Sequence, residues 1–243
     1  MGVFPSHSIT TLRIEPCPML RFKLSRLICS LCLCSALVTG TLQAQDRYQP
    51  LDHRAPTGVA GRWSALVKPG TAGLPQQVRI TLPTTGTVSF YAGSPQNLVP
   101  INAPAQAGLG VGYVYRFRIS HLPEFPGVEL FPTVEILDRL HAPAELANEF
   151  PIPIEINAEE IEIVLQDRMV TKVIYLEHPD LAFPVEQTGA IRIEKLRPQE
   201  NLLQAADQRG RPLAILRIGG RIPDPAAPSD EFFSQSPLML TAP

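Results

Sequence analysis

The run Glu177-His178-Pro179-Asp180 holds the residues of this chain best suited to acid–base chemistry. A carboxylate beside an imidazole can orient it and favour its protonated form, as a general acid or base requires. The run follows a predicted strand, where neighbouring residues point to opposite faces, so a solvated strand end is the favoured interpretation. Two weaker pairs are interpreted in the same way: His121 with Glu124, and Asp138 with His141.

The histidines and serines show none of the spacings typical of metal or nucleophile sites. His53, His121, His141 and His178 form no HExxH pattern or other close ligand spacing. The chain also lacks a GxSxG nucleophile elbow and a Ser-x-x-Lys motif. We therefore predict no catalytic, metal-binding or cofactor-binding residues and no cofactor. Whether the protein is an enzyme stays open at this stage, and the sequence favours a non-catalytic role.

Two glycine-containing motifs resemble known signatures but lack the flanking segments that those signatures require. Leu82–Gly86, LPTTG, is similar to the sortase sorting signal LPxTG, which acts near a C-terminus before an apolar span and a basic tail. More than 150 residues follow it here, so we predict a hairpin turn. Gly108–Gly112, GLGVG, resembles a phosphate-binding loop, which needs a preceding strand and a following helix. A Pro/Ala loop precedes it and a strand follows, so we predict a flexible strand entry.

Met19–Gln45 is predicted to be a secretory signal peptide. A basic segment precedes the apolar run Leu27–Val38, and the site ends at Ala44, so we expect cleavage between Ala44 and Gln45. The apolar run has 12 residues, whereas a membrane-spanning helix needs roughly 20. A retained anchor is the alternative. Because the n-region fits Met19 better than Met1, we also expect translation to start at Met19.

Removing residues 1–44 changes the chemistry available to the protein. All four cysteines lie upstream of the cut, which excludes disulfides, thiol nucleophiles and cysteine-ligated metals from the mature chain. Four basic residues and one acidic residue are removed, so the net charge falls from −2 to −5. The remaining basic residues are scattered, which argues against a nucleic-acid partner.

Hydrophobic periodicity predicts a mainly β chain. We expect a single β-sandwich-like domain at 76–220 with two short helices, because no alternation of long helices and strands suggests parallel crossovers. A signal peptide and N-terminal extension (1–44), a flexible linker (45–75) and a disordered tail (221–243) flank it. The predicted strands are Gln77–Leu82, Thr87–Ala92, Val111–Ser120, Val128–Leu137, Pro151–Ile156, Val170–Glu177, Ala190–Lys195 and Pro212–Ile218, and the predicted helices are Asn157–Gln166 and Pro198–Gln208.

Three finer expectations accompany these elements. Leu98–Gly110 is predicted to be a loop. Val128–Leu137, interrupted by Pro132, is predicted to be an edge strand or two short strands, and Val170–Glu177 a central strand. Asn157 and Glu160 are spaced as a capping box that would start the first helix.

The predicted strand Val111–Ser120 has two chemically different faces. Tyr113, Tyr115 and Phe117 alternate with Arg116 and Arg118, so an aromatic face opposes a basic face. An exposed Arg116 and Arg118 could bind an anionic polysaccharide. Ordinary solvated positions of a sheet are the favoured alternative.

Three segments resemble stretches of uncharacterised exported proteins of planctomycete bacteria: Phe131–Pro143, Val170–Pro179 and Gly210–Arg221. The resemblance covers about Tyr113–Arg221. It implies export, and because no activity is established for those proteins it implies no functional residues.

These observations together predict an exported, non-catalytic protein of the cell envelope, periplasmic or extracellular. Its partner would be an envelope protein or a glycan of unknown identity. The protein would contact the membrane only through its signal peptide, before cleavage. The alternative is an exported hydrolase or lyase that uses a carboxylate and histidine around Glu177 and His178.

Overall fold

The structure is a computed structural model that describes residues 51–91, 94, 96–178, 180, 193–224, 226, 227, 229–233 and 238–239. The described residues belong to one compact unit. The described helices are α1 (Val59–Val67), α2 (Ala158–Leu165), α3 (Leu202–Arg209) and the single turn α4 (Asp230–Phe233), with a 3₁₀ turn at Ala144–Leu146. The strands are β1 (Pro75–Thr81), β2 (Thr87–Tyr91), β3 (Leu98–Asn102), β4 (Ala105–Gly110), β5 (Val114–Ser120), β6 (Thr133–Ile136), β7 (Ile152–Glu155), β8 (Val170–Glu177), β9 (Gly210–Ile218) and β10 (Leu238–Met239).

These strands form two sheets, which confirms the mainly β prediction. The smaller sheet has the order β10-β4-β1-β7, and the larger has the order β3-β2-β5-β6-β9-β8. Neighbouring strands are antiparallel except β1 and β7, which are parallel. Alternate residues of both sheets, such as Ile80, Leu109, Phe117 and Leu216, meet in one buried core. The arrangement is therefore that of a sandwich with a shared apolar interior.

Several local predictions hold in the structure. Val170–Glu177 forms a strand with the predicted bounds. The side chain of Asn157 accepts a hydrogen bond from the Glu160 amide at 2.8 Å, and the Glu160 carboxylate accepts one from the Asn157 amide at 3.0 Å. This pair confirms the capping box, which satisfies amides that the first helical turn leaves without partners.

The predicted hairpin at Leu82–Gly86 was wrong. β1 pairs with β4 and β7, whereas β2 pairs with β3 and β5, so the motif connects the two sheets. Leu82 is buried in the shared core. A Cβ atom at Gly86 would lie 2.7 Å from the Leu82 side chain. The connection is therefore tightly packed between the layers, because each strand turns its apolar face to the same interior.

Leu98–Gly110 was predicted to be a loop and instead forms β3 and β4. Ala105, Ala107 and Leu109 alternate in the core of the smaller sheet. The small side chains of Ala105 and Ala107 give a weak hydrophobic signal, which the surrounding proline and glycine obscure.

The positions of two strands within the larger sheet also differ from expectation. β6 lies between β5 and β9 with all four of its residues buried, so the edge-strand alternative for Val128–Leu137 was wrong. The alternative of two short pieces agrees with the structure, because Leu130 bridges Ile119 before Pro132 and β6 begins after it. Pro132 precedes β6 and so removes no amide from its ladder. β8, predicted to be central, lies at the edge of the sheet and is half-buried or exposed throughout.

The regions flanking the predicted domain contain ordered contacts. In residues 51–75, predicted to be flexible, the Gly61 amide of α1 donates to the buried Glu135 carboxylate at 2.6 Å. In the predicted disordered tail, α4 buries Phe232 and Phe233, and β10 pairs with β4. Sparse apolar and polar anchors therefore hold these described residues to the sheets. Two predictions lie outside the described residues: the signal peptide and its Ala44–Gln45 cleavage site. The predicted strand Ala190–Lys195 is described only at residues 193–195, which are not in a strand.

Candidate functional site

The structure does not bring the Glu177-His178 carboxylate and histidine together as an acid–base site. Both residues and Asp180 are exposed, at the end of the edge strand β8. The His178 amide donates to the Arg209 carbonyl at 3.2 Å, which continues the strand pairing. Among the described residues, no hydrogen bond or ion pair joins the side chain of His178 to a carboxylate. The geometry agrees with a solvated strand end.

The two weaker histidine pairs are also separate. His121 lies 3.0 Å from the Ser120 hydroxyl through Nδ1, while Glu124 accepts a hydrogen bond from Thr84 at 2.7 Å. Asp138 is buried and paired with Lys68 at 2.5 Å, and His141 is exposed. In the part of the chain that the structure describes, no three His, Cys, Asp or Glu side chains are grouped to hold a metal ion.

The glycine-rich segment Gly108–Gly112 does not form a phosphate loop. Gly108 and Gly110 lie in β4, and the Gly110 amide donates to the Tyr115 hydroxyl at 2.7 Å. The Gly112 amide donates to the Ile136 carbonyl at 2.8 Å, and its φ of 89° suits glycine. These two amides are therefore used within the fold.

The outer face of β5 carries a basic site. Tyr115, Phe117 and Ile119 point into the core, as predicted, and Arg116 and Arg118 lie on the opposite face. Arg118 pairs with Glu129 at 3.3 Å. The guanidinium of Arg116 lies 3.8 Å from the centre of the Phe232 ring, and that of Arg221 lies 5.4 Å from it. We call Arg116, Arg118 and Arg221 with Phe232 the arginine cluster.

Four buried polar atoms on this face have no hydrogen-bond partner in the described structure: Arg116 Nε and Nη1, Arg118 Nε, and Ser89 Oγ. Ser89 is fully buried and faces Arg118 across the β2–β5 pair. Buried polar groups are nearly always hydrogen-bonded, because leaving one unpaired costs about 1–3 kcal/mol. Unpaired donors concentrated on one face therefore indicate a site that can receive an acceptor.

Arg116 is a cation in a water-poor environment. Burial, together with the nearby charge of Arg221, lowers the pKa of Arg116 from 12.5 to about 10. The group is still protonated at neutral pH. Among the described residues, no carboxylate lies within 4.0 Å of Arg116 or Arg221. An anion placed here would offset the cost of burying this charge.

Aromatic side chains around α4 form the wall of the cluster. The rings of Tyr91 and Phe233 lie 4.6 Å apart, those of Phe131 and Phe232 lie 5.7 Å apart, and those of Phe232 and Phe233 lie 5.0 Å apart. All four residues are buried. Burial raises the pKa of Tyr91, with a smaller opposing effect of Arg118. The Phe232 ring, held by its aromatic neighbours, shields Arg116 from water and strengthens its electrostatic interactions.

Sequence reasoning found two of the five residues named for this site. It named Arg116 and Arg118 from the alternation of β5, but it expected an open sheet face. It missed Ser89, Arg221 and Phe232. The adjacent pair Phe232-Phe233, in a stretch rich in proline and polar residues, was the signal that could have shown that the tail returns to the sheet.

Comparison with known proteins identifies no relative, so a functional assignment rests on the geometry of the chain itself. No protein-family model matches the chain, no curated protein is similar to it, and no solved structure matches it. The resemblance to exported planctomycete proteins therefore stays a prediction. Within the described residues, no helix is both long enough and apolar enough to cross a membrane.

Proposed function

We propose that this protein is an exported, non-catalytic envelope protein that binds an acidic glycan through the arginine cluster. One observation carries the proposal: the Arg116 guanidinium is half-buried beneath Phe232 with Nε and Nη1 unpaired. A guanidinium presents donors in a planar fork that suits a carboxylate or sulfate group.

The surroundings of Arg116 favour an anion over other ligands. Arg118 and Arg221 add positive charge, and Glu129 pairs with Arg118. The fully buried Ser89 hydroxyl adds a neutral hydrogen-bonding group beside them. A cation would be repelled here, and an apolar ligand would leave the donors unpaired. Uronic acids and sulfated sugars supply the required charge, and the predicted export places the protein among glycans of the envelope.

The alternative of a hydrolase or lyase at Glu177 and His178 has no observation in its favour. Both residues are exposed at an edge-strand end. General acid–base catalysis requires a base within hydrogen-bond reach of its partner and of the substrate. We therefore propose no second function for this region.

Binding of matched sugars to the full chain tests the proposal. Calorimetric titrations would compare an oligogalacturonate with its methyl-esterified form, which has the same sugars without the charges, and with a sulfated oligosaccharide. We expect binding of at least one acidic sugar, weakening as salt rises, and none of the neutral form. Equal affinity for the acidic and esterified forms, or no binding of either acidic sugar, would overturn the proposal.

Three arginine variants locate the site. Arg116→Gln removes the buried donors, and Arg221→Gln removes an exposed member of the cluster. Arg168→Gln is the matched control, because Arg168 is also exposed and lies after α2. We expect about a tenfold loss of affinity for each cluster variant, equivalent to about 1.4 kcal/mol, and no loss for the control. Equal losses in all three variants would mean unspecific charge attraction.

A further inference from the structure

The donors that carry the proposed glycan site are shielded from solvent in the structure. Nε and Nη1 of Arg116 are buried and unpaired, and Cζ of this guanidinium lies 3.8 Å from the centre of the Phe232 ring. Ser89, on the same face, is fully buried. A carboxylate oxygen accepts a hydrogen bond only when it lies within about 3 Å of the donor. An acidic sugar therefore reaches the buried donors of Arg116 only after Phe232 has moved.

Phe232 belongs to a segment that has a paired strand on either side, residues 219–233, which we call the strap. The strap follows β9, which ends at Ile218, and it precedes β10, which begins at Leu238 and pairs with β4. Among the described residues of the strap, none makes a hydrogen bond to either sheet. Three residues of the strap are prolines, which have no amide to donate. The middle of the strap can therefore leave the sheets while the strands on either side stay paired.

Aromatic side chains hold the strap in place at α4. Phe232 packs against Phe131, and Phe233 packs against Tyr91. A helix of one turn is not stable by itself, because its few hydrogen bonds do not repay the entropy lost on ordering it. Segments that depend on a few side-chain contacts open at a lower free-energy cost than strands inside a ladder. α4 is therefore the part of this face that can open without disturbing the sheets.

A bound anion would favour the open form of α4. The closed form gives Arg116 the face of an aromatic ring, which attracts a cation but does not pair its unpaired Nε and Nη1. A carboxylate or sulfate group gives the same guanidinium charge-assisted hydrogen bonds. A ligand shifts an equilibrium between two forms only through its different affinities for them. Because these donors can be paired by an anion only in the open form, an acidic ligand meets that condition.

We propose that α4 is a movable cover of the arginine cluster, which an acidic glycan displaces when its charged group binds Arg116. This inference rests on the proposed function, because the glycan is the ligand that favours the open form. Arg221 is exposed and Arg118 is half-buried, so these two cations meet the glycan first. Arg116 is engaged when the cover opens. The apparent affinity is then the affinity of the open form reduced by the fraction of molecules that are open.

Limited proteolysis of the full chain with chymotrypsin tests the cover directly, because the rate of cleavage follows the population of the open form. We expect a saturating oligogalacturonate or sulfated oligosaccharide to speed cleavage after Phe232 or Phe233 by about tenfold or more. The neutral, methyl-esterified sugar should leave this rate unchanged. Phe150 is the matched control site, because it is 52% exposed and lies outside the strap, so its cleavage should not change. Unchanged or slower cleavage after Phe232 and Phe233 with the acidic sugar bound would overturn the proposal.

A variant that loosens α4 without changing the arginine cluster gives a second test. Phe233→Ala removes the ring that packs against Tyr91. We expect this variant to bind the acidic sugar about tenfold more tightly in calorimetry, because a larger fraction of molecules is open. Leu203→Ala is the matched control, because Leu203 is also buried but lies in a separate apolar cluster, and its affinity should not change. Equal or weaker binding by Phe233→Ala, or equally tighter binding by both variants, would contradict a cover.

The two assays separate this inference from the proposed function. Binding that depends on Arg116, with slow cleavage after Phe232 and Phe233 and no gain in Phe233→Ala, would overturn the cover and leave the glycan site standing. No binding by either the unchanged chain or Phe233→Ala would overturn the proposed function and the cover together. Because the chymotrypsin assay uses the unchanged chain, it decides the matter even if Phe233→Ala does not fold. Circular dichroism of each variant checks that the fold is retained.

Discussion

Replacing Glu135 by alanine should show how strongly the N-terminal segment is fastened to the larger sheet. Glu135 is fully buried in the central strand β6. Its Oε1 accepts the Gly61 amide at 2.6 Å, and its Oε2 accepts Arg217 Nη1 at 2.9 Å. Arg217 also donates to the His53 carbonyl at 3.1 Å. One carboxylate therefore links α1, the segment before it and β9.

The geometry sets the size of the effect. Removing one partner of a buried ion pair costs about 3–5 kcal/mol, because the other charge is left without compensation. Exposed pairs contribute at most about 1 kcal/mol. Since Arg217 Nη1 keeps no other partner among the contacts described, we expect Glu135→Ala to lower the free energy of unfolding by about 3 kcal/mol or more.

Urea denaturation at neutral pH, followed by circular dichroism, measures this loss. Glu149→Ala is the control, because Glu149 is exposed, and it should change stability by less than about 0.5 kcal/mol. Glu135→Leu combined with Arg217→Met should recover part of the loss, because no charge remains buried. A cost below about 1 kcal/mol for Glu135→Ala would refute the reasoning. Trypsin should also cleave at Arg62 faster in this variant.

Two further predictions address the tail and the core. Phe232→Ala should lower the free energy of unfolding by about 3–5 kcal/mol in urea titrations, because the ring is buried among Phe131, Phe233 and Arg116. Ile222→Ala, at a residue 66% exposed, should have almost no effect, and equal effects would contradict an anchored tail. Burial raises the pKa of Tyr115 from 10.0 to about 12, so the native state holds more protons than the unfolded chain above pH 10. This part of the stability is present below pH 10 and is lost towards pH 12. Tyr115→Phe should cost about 1–3 kcal/mol at pH 7, because the Gly110 amide loses its acceptor, and should show a shallower decline from pH 10 to 12. Identical declines in the two proteins would rule out this assignment.

Features that depend on residues close together in the chain could be predicted from the sequence. The capping box at Asn157 and Glu160 joins groups three residues apart, so the sequence contains all of its partners. The alternation in β5 similarly reports which side chains face the core, because a strand places neighbours on opposite sides. Such features depend on local backbone geometry and can be predicted without knowing the topology.

Features that depend on distant partners were not predictable in the same way. The strands on either side of Leu82–Gly86 have local patterns typical of a hairpin, yet each finds better partners in a different sheet. Ala105 and Ala107 form part of a core strand because their small side chains fit against the opposite sheet. Local propensity could not show this, since the stabilising contacts come from elsewhere in the chain.

By itself, the sequence determined the mainly β class, the start of α2 and the two chemical faces of β5. Those properties follow from residue spacing and from hydrogen bonds between close neighbours. Only the tertiary structure decided that Phe232 covers Arg116 and that Glu135 holds α1. Burial is a property of the whole chain, because a side chain loses water only when distant segments pack over it. The same arginine that an isolated strand would present to solvent thus becomes a shielded cation with unpaired donors.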